Sequence, residues 1–235
     1  MRRREFLGSC ALLSGIASAG QARAEGASAQ IRRYARARLV DIHGAPIRPA
    51  AIANETNYVF LYPFEATPCF LLRLAAPVSG ARELRREHGE PYATPGGVGP
   101  GRDIVAFSAI CAHKLAYPTR DVSFIRYQRR RSATSSGNVI HCCADHSVYD
   151  PASGARVVAG PAPQPLACIA LEHDAARDEL YAVGTIGAEQ FVPFFEKYAM
   201  KLSLDYGSVE RARKPVAETA VVSELTNYCR NTIEC

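Results

Sequence analysis

Short apolar and β-branched runs alternate with turns rich in glycine, proline, asparagine and aspartate along most of the chain. Runs of this kind are typical of strands joined by turns, and no helical repeat separates them. The pattern therefore predicts an all-β fold, an antiparallel β sandwich or barrel. The predicted strands cover residues 33–42, 58–62, 69–74, 104–107, 139–140, 166–172 and 179–183.

Near the C-terminus the apolar residues change to a helical period. Phe191, Phe194, Phe195, Tyr198 and Leu202 follow one another at i, i+3, i+4, i+7 and i+11. This spacing predicts a short C-terminal helix that packs its aromatic face on the domain, with a partner-binding helix as the alternative. We assign residues 185–235 to this helix and a tail.

Two polar stretches interrupt the strand pattern. Residues 80–101 are rich in glycine and proline, and residues 126–138 are basic and serine-rich. Solvated loops are the simplest interpretation of both stretches, and a docking surface is the alternative.

The first 24 residues have the composition of an export signal. Arg2, Arg3 and Arg4 precede a short apolar stretch, residues 6–20, and Ala22-Arg23-Ala24 offers a cleavage site. The run from Arg3 to Leu7 is similar to a twin-arginine signal, which predicts export to the periplasm. Membrane contact is expected only if the signal is retained as an anchor.

The signal accounts for most of the positive charge. The chain has 235 residues and a formal net charge of +5. Cleavage after Ala24 removes four arginines and one glutamate, which lowers the charge from +5 to +2. This charge is too small to indicate a nucleic-acid partner, and a hydrophobic content of 48% indicates a globular chain.

Two short motifs carry residues that bind metals. Cys111 and His113 form a Cys-x-His, and Cys143 and His146 form a Cys-x-x-His about thirty residues later. Two thiolates and two imidazoles suit tetrahedral zinc, and they also suit a [2Fe-2S] cluster that has two cysteines on one iron and two histidines on the other.

The residues around these motifs resemble the two cluster-binding boxes of Rieske iron–sulfur proteins. The boxes are residues 108–113 and 143–151, and residues 160–166 are similar to the family's proline-rich loop. The resemblance implies a Rieske-type domain over residues 25–184, with a small cluster-binding subdomain at about 104–166. It implies that Cys111 and Cys143 hold the inner iron, and that His113 and His146 hold the outer one.

The chain departs from the family pattern in the second box. Cys142 stands beside Cys143, and an alignment anchored on Ser147-x-Tyr149-Asp150 would favour Cys142. We prefer Cys143 because it restores Cys-x-x-His. The cysteines that join the two boxes in respiratory members are replaced by Ala116 and Asp145, and the glycine that follows the second ligand histidine is missing.

Two hydroxyl groups are expected to tune the cluster. By the resemblance, Ser147 and Tyr149 donate hydrogen bonds to a bridging sulfide and to a cysteine sulfur. Such bonds, together with neutral imidazole ligands, predict a high midpoint potential.

The other cysteines and histidines have simpler interpretations. Cys69 and Cys168 lie in apolar strands and are expected to be core thiols, while Cys229 and Cys235 are candidates for a disulfide. Four further histidines have no partner at ligand spacing, so we expect them to be exposed or hydrogen-bonded: His43, His88, His141 and His173.

The favoured function is therefore a periplasmic electron carrier or redox subunit rather than a stand-alone enzyme. Its expected partners are redox proteins, with a quinol or an oxidoreductase as donor and a cytochrome-like protein as acceptor. The alternative is a zinc-stabilised Cys₂His₂ binding module without redox activity. An oxygenase is a weaker idea, because the residues after Leu166 offer only His173 for a mononuclear iron site.

Overall fold

The computed structural model describes residues 31–235, so the predicted export signal lies outside the described residues. The chain folds mainly into strands, as the hydrophobic pattern predicts. The strands are β1 Arg32–Val40, β2 Tyr58–Leu61, β3 Pro68–Arg73, β4 Leu84–Arg85, β5 Pro91–Tyr92, β6 Ile104–Ser108, β7 Val122–Ser123, β8 Ile125–Gln128, β9 Val139–Cys142, β10 Ser147–Asp150, β11 Arg156–Ala159, β12 Cys168–Asp174, β13 Glu179–Ile186, β14 Glu218–Val221, β15 Ser223–Glu224 and β16 Asn231–Thr232.

The largest sheet has eight strands in the order β14-β1-β13-β12-β6-β3-β2-β15. Six of these strands were predicted from the sequence, and their antiparallel pairing is confirmed. The short strand β14 differs, since it pairs with β1 in parallel.

Strand β3, inside the large sheet, shows why some predicted strands have apolar residues at every position instead of at alternate positions. In β3, Cys69 and Leu71 point into one hydrophobic cluster, while Phe70 and Leu72 point into another on the opposite face. Successive side chains of a strand alternate between faces, so a strand covered on both faces needs apolar residues at every position.

A second, four-stranded antiparallel sheet has the order β11-β10-β9-β8. Its strand β8 begins at Ile125, so the prediction of a loop over residues 126–138 is wrong for the first residues of that stretch. Tyr127 in β8 is buried, whereas the side chains of a solvated loop would be exposed. Cys142 and Tyr149 of this sheet join the same core cluster as Cys111.

The predicted C-terminal helix is two helices, α1 Phe191–Lys197 and α2 Ala199–Tyr206, which meet at Tyr198. Two shorter helices follow, α3 Val209–Ala212 and α4 Leu225–Tyr228. Short 3₁₀ turns cover Pro49–Ala51 and Pro151–Ser153. The aromatic face of α1 and α2 is buried against the domain, as predicted.

The cysteines outside the two boxes follow the sequence only in part. Cys69 and Cys168 are buried free thiols, which confirms their expected place in the core. The predicted pairing of Cys229 with Cys235 is wrong, because Cys229 packs into the main core cluster and its thiol donates to Thr119 O at 2.7 Å. Between residues 31 and 235, no helix has the length and apolar character to cross a bilayer.

Candidate functional site

The first loop of the site follows strand β6. Cys111 N–H donates to Ala116 O at 2.9 Å, and Leu115 N–H donates to Cys111 O at 3.0 Å, which closes a tight turn around the first box. Ile110 and Leu115 pack into the cluster built by α1 and α2. The C-terminal helices therefore hold the first loop in place.

The second loop joins β9 to β10 in a hairpin. Cys142 lies opposite Ser147, and Ile140 lies opposite Tyr149. Directly opposite residues in an antiparallel pair point to the same face, and their neighbours point to the other. The hairpin therefore turns Cys142, Ser147 and Tyr149 toward the core and toward Cys111.

Cys143 lies on the other side of this hairpin. It follows Cys142 directly, so its side chain points away from Cys111, and it forms a disulfide with Cys235. The preference for Cys143 therefore conflicts with the structure, in which Cys142 and not Cys143 lies beside Cys111, with the two sulfurs within 4.8 Å of each other. Anchoring the second box on Ser147 and Tyr149 identifies Cys142.

His146 also lies away from the two thiols. It has a φ of 58° and an exposed side chain, and its ring centroid is 5.6 Å from that of buried His141. The nitrogens of these two histidines and Cys235 Sγ lie within 4.8 Å of one another. The structure therefore brings Cys111 and His113 together from the predicted set, but not Cys143 or His146.

Asp145 occupies the place expected for a second imidazole. Its carboxylate and the sulfurs of Cys111 and Cys142 lie within 4.8 Å of one another, with Asp145 Oδ2 3.5 Å from Cys111 Sγ. The same oxygen is 2.8 Å from His113 Nδ1. Sequence reasoning noted Asp145 only as a departure from the family. Counting two residues back from Ser147 would have identified it.

Hydrogen bonds at the site favour the charged forms of two groups. The Cys142 thiol and the Tyr149 hydroxyl help to lower the pKa of Cys111 to about 7, although burial opposes the shift. The hydrogen bond to Cys111, together with burial, raises the pKa of Cys142. Burial raises the pKa of Asp145, but hydrogen bonds from Ser147 N–H and His113 outweigh it, so the net pKa is lowered.

Both predicted tuning residues lie beside the thiols. Tyr149 Oη is 3.3 Å from Cys111 Sγ and accepts a hydrogen bond from Ala112 N–H at 3.1 Å. The Ser147 hydroxyl is buried and has no hydrogen-bond partner among residues 31–235. A buried hydroxyl without a partner is costly, and an inorganic sulfide is an acceptor that would satisfy it.

The loop rich in proline closes over the second box. Gly160 has a φ of +84°, and a Cβ at this position would lie 2.6 Å from Ser147 Cα and overlap the His146 carbonyl oxygen. Ala162, two residues on, packs against the cluster that contains Cys111 and Ala112. This segment therefore lies directly on the loop that carries Cys142 and Asp145.

The chain's last residues lie against the same loop, a contact that sequence reasoning missed. Strand β16 pairs in parallel with β7, and Cys143 N–H donates to Phe124 O at 2.6 Å. Ile233 N–H donates to Ser123 O at 2.9 Å, which brings Cys235 to Cys143. The only sequence signal for this contact is the position of a cysteine at residue 235.

The residues present fit a metal centre. Two thiols, an imidazole and a buried carboxylate converge from two loops, and these donors suit iron in a cluster or a zinc ion. The partnerless Ser147 hydroxyl is the observation that favours a group with its own sulfur acceptors.

Comparisons with known proteins give matches among solved structures and none among family models. Among solved structures, the chain is similar to the soluble domain of the Rieske protein II (soxF) from Sulfolobus acidocaldarius, with 27% sequence identity and a TM-score of 0.46. The match covers 65% of this chain and 78% of that chain. The evidence for a cofactor therefore comes from the residues of the two loops rather than from this similarity.

Proposed function

We propose that this protein is a one-electron carrier of Rieske type, with a [2Fe-2S] cluster held between its two loops. Cys111 and Cys142 would hold one iron, and His113 would bind the other. Such a cluster supplies one-electron redox chemistry when it is bound. The observation that carries the proposal is the convergence of these three side chains beside the buried, partnerless hydroxyl of Ser147.

The protein's own groups support this function by stabilising negative charge on sulfur. Tyr149 Oη lies 3.3 Å from Cys111 Sγ, and it helps to lower the pKa of this thiol together with the backbone N–H groups of His113 and Lys114. Donors of this kind favour the reduced state of an iron–sulfur centre and raise its midpoint potential. His113 is 34% exposed while Asp145 is 4% exposed, so electrons would enter and leave at the His113 edge.

The proposed location is the periplasm, reached by twin-arginine export. The arginine pair and apolar stretch of residues 2–20 support it, and so does the Cys143–Cys235 disulfide, because disulfides persist in oxidising compartments. The proposed partners are a quinol or oxidoreductase donor and a cytochrome-like acceptor, which would dock at the exposed edge of His113.

Metal analysis and spectroscopy of the purified full chain test this function. We expect two irons and two acid-labile sulfides per chain, visible absorption, and an S = ½ EPR signal of one spin per chain after reduction. A colourless protein that contains one zinc and gives no EPR signal after reduction would instead establish the zinc-stabilised binding module.

A further inference from the structure

Two groups of ligand-type side chains lie at the second loop. One group joins the sulfurs of Cys111 and Cys142 with the Asp145 carboxylate, and the other joins His141 and His146 with the sulfur of Cys235, which the disulfide to Cys143 removes as a thiolate ligand. The thiols therefore face a carboxylate from the second loop, where the sequence pattern predicts an imidazole.

The hairpin geometry explains this arrangement. Ser147 is fully buried opposite Cys142, so His146, the residue before it, points to the other face. His146 also takes a left-handed backbone conformation and donates its N–H to Cys142 O at 2.7 Å. Moving its imidazole to the thiols would require a shift of the hairpin by one residue. Such a shift would expel Ser147 and Tyr149 from the core.

Asp145 is oriented as a ligand would be. Ser147 N–H donates to its Oδ1 at 3.0 Å, which leaves Oδ2 facing His113 Nδ1 at 2.8 Å and Cys111 Sγ at 3.5 Å. The carboxylate is 4% exposed. Buried carboxylates are hydrogen-bonded, paired with a cation or bound to a metal; Ser147 N–H and His113 hold this one in place, and a metal ion held by His113 would add a positive charge beside it.

We propose that Asp145, and not His146, supplies the fourth protein ligand, so that one iron is bound by one imidazole and one carboxylate. This inference rests on the proposed function for the identity of the metal. A carboxylate adds one negative charge compared with a second imidazole. The midpoint potential is therefore lower than that of a site with two histidines, whereas hydrogen bonds to the sulfurs still raise it.

Pulsed EPR of the reduced full chain tests the ligand set directly. We expect strong ¹⁴N coupling from a single imidazole in the wild-type protein, and we expect the signal to persist unchanged in His146→Ala. His113→Ala should lose that coupling. Strong coupling from two imidazoles in the wild type, or the loss of one coupling in His146→Ala, would overturn the inference.

Substitutions at Asp145 provide a second test. Asp145→Ala should lower the iron content by at least tenfold, while the matched variant His146→Ala keeps it. Asp145→His should retain two irons, gain a second imidazole coupling and raise the midpoint potential. If Asp145→Ala does not fold, the EPR spectrum of Asp145→His still tests the inference. A spectrum identical to that of the wild type would contradict metal binding by Asp145.

The two proposals can fail separately. A wild-type protein that binds zinc and no iron would overturn the electron-transfer function. In that case the zinc content of the variants would identify the ligands. Asp145→Ala should reduce the zinc content, and His146→Ala should not. An iron–sulfur protein whose spectra depend on His146 would overturn only the role of Asp145. A chain that takes up neither metal would overturn both.

Discussion

Tyr149 Oη lies 3.3 Å from Cys111 Sγ and also accepts a hydrogen bond from Ala112 N–H. One side chain from the second sheet thus contacts the first loop at both a thiol and a backbone group. When Cys111 is a thiolate, as in a metal site, the sulfur has no proton to give, so the Tyr149 hydroxyl is the donor in this contact.

Removing this hydroxyl should lower the midpoint potential. In Tyr149→Phe the sulfur loses a hydrogen bond that is stronger in the reduced state, and a difference of about 1 kcal/mol between the two states corresponds to a decrease of roughly 40 mV for a one-electron couple. A redox titration followed by EPR measures the change. Tyr127→Phe is the matched control, because Tyr127 Oη contacts Asn138 rather than a thiol. Equal potentials for Tyr149→Phe and the wild type would contradict the assigned contact.

Ser147→Ala should lower the midpoint potential as well. The buried hydroxyl of Ser147 has no partner within the described chain, so an inorganic sulfide is the acceptor that we assign to it. Its loss should shift the potential downward by roughly 40 mV if the bond is stronger by about 1 kcal/mol in the reduced state. Ser123→Ala serves as the control, since that hydroxyl already donates to Ile125 O at 2.6 Å. A potential unaffected by Ser147→Ala would refute the sulfide contact.

The adjacent cysteines Cys142 and Cys143 should give opposite phenotypes. Cys142→Ser should abolish the cluster, because it removes a thiolate that faces Cys111. Cys143→Ser should keep the cluster but lower the free energy of unfolding by about 3 kcal/mol, since the disulfide closes a long loop. The disulfide partners are 92 residues apart in sequence.

Thermal unfolding and iron content separate these two cases. Cys235→Ser should reproduce the stability loss of Cys143→Ser, and mild reduction of the disulfide in the wild type should do the same. If Cys143→Ser lost its iron while Cys142→Ser retained it, the assignment of these two thiols would have to be reversed.

Gly160→Ala should destabilise the protein more than an alanine substitution at a glycine whose Cβ would have free space around it. Gly160 and Gly44 both have positive φ values, +84° and +81°, but nothing lies within 4 Å of a Cβ at Gly44. Gly44→Ala should therefore cost about 1 kcal/mol for backbone strain. Gly160→Ala should cost about 3 kcal/mol or more, because its methyl group would also overlap the backbone of His146 and Ser147.

Chemical denaturation of both glycine variants measures this difference. Gly160→Ala should also change the EPR line shape, since the displaced residues adjoin Cys142 and Asp145, whereas Gly44→Ala should leave the spectrum as in the wild type. Equal stability of the two variants would mean that the loop after β11 does not press on the second box.

The sequence by itself determined much of the fold and located the two loops of the candidate site. The apolar runs identified six strands of the large sheet, since strands buried on one or both faces must carry apolar side chains at fixed intervals. The first box was located with its cysteine and histidine together, because Cys111 and His113 lie in one short turn whose geometry is local. The sequence pattern also singled out the hydroxyl groups of Ser147 and Tyr149.

The tertiary structure decided the rest of the site. Cys142 and Cys143 are neighbours with the same chemistry, and so their roles depend on which face of the β9–β10 hairpin is buried. Because successive side chains alternate between the two faces of this hairpin, His146 points away from the thiols and Asp145 lies beside them. The partner of Cys143 is the chain's last residue, and only the pairing of β16 with β7 brings it there. Spacing along a chain reports local periodicity, whereas register and long-range contacts arise when separate segments pack together.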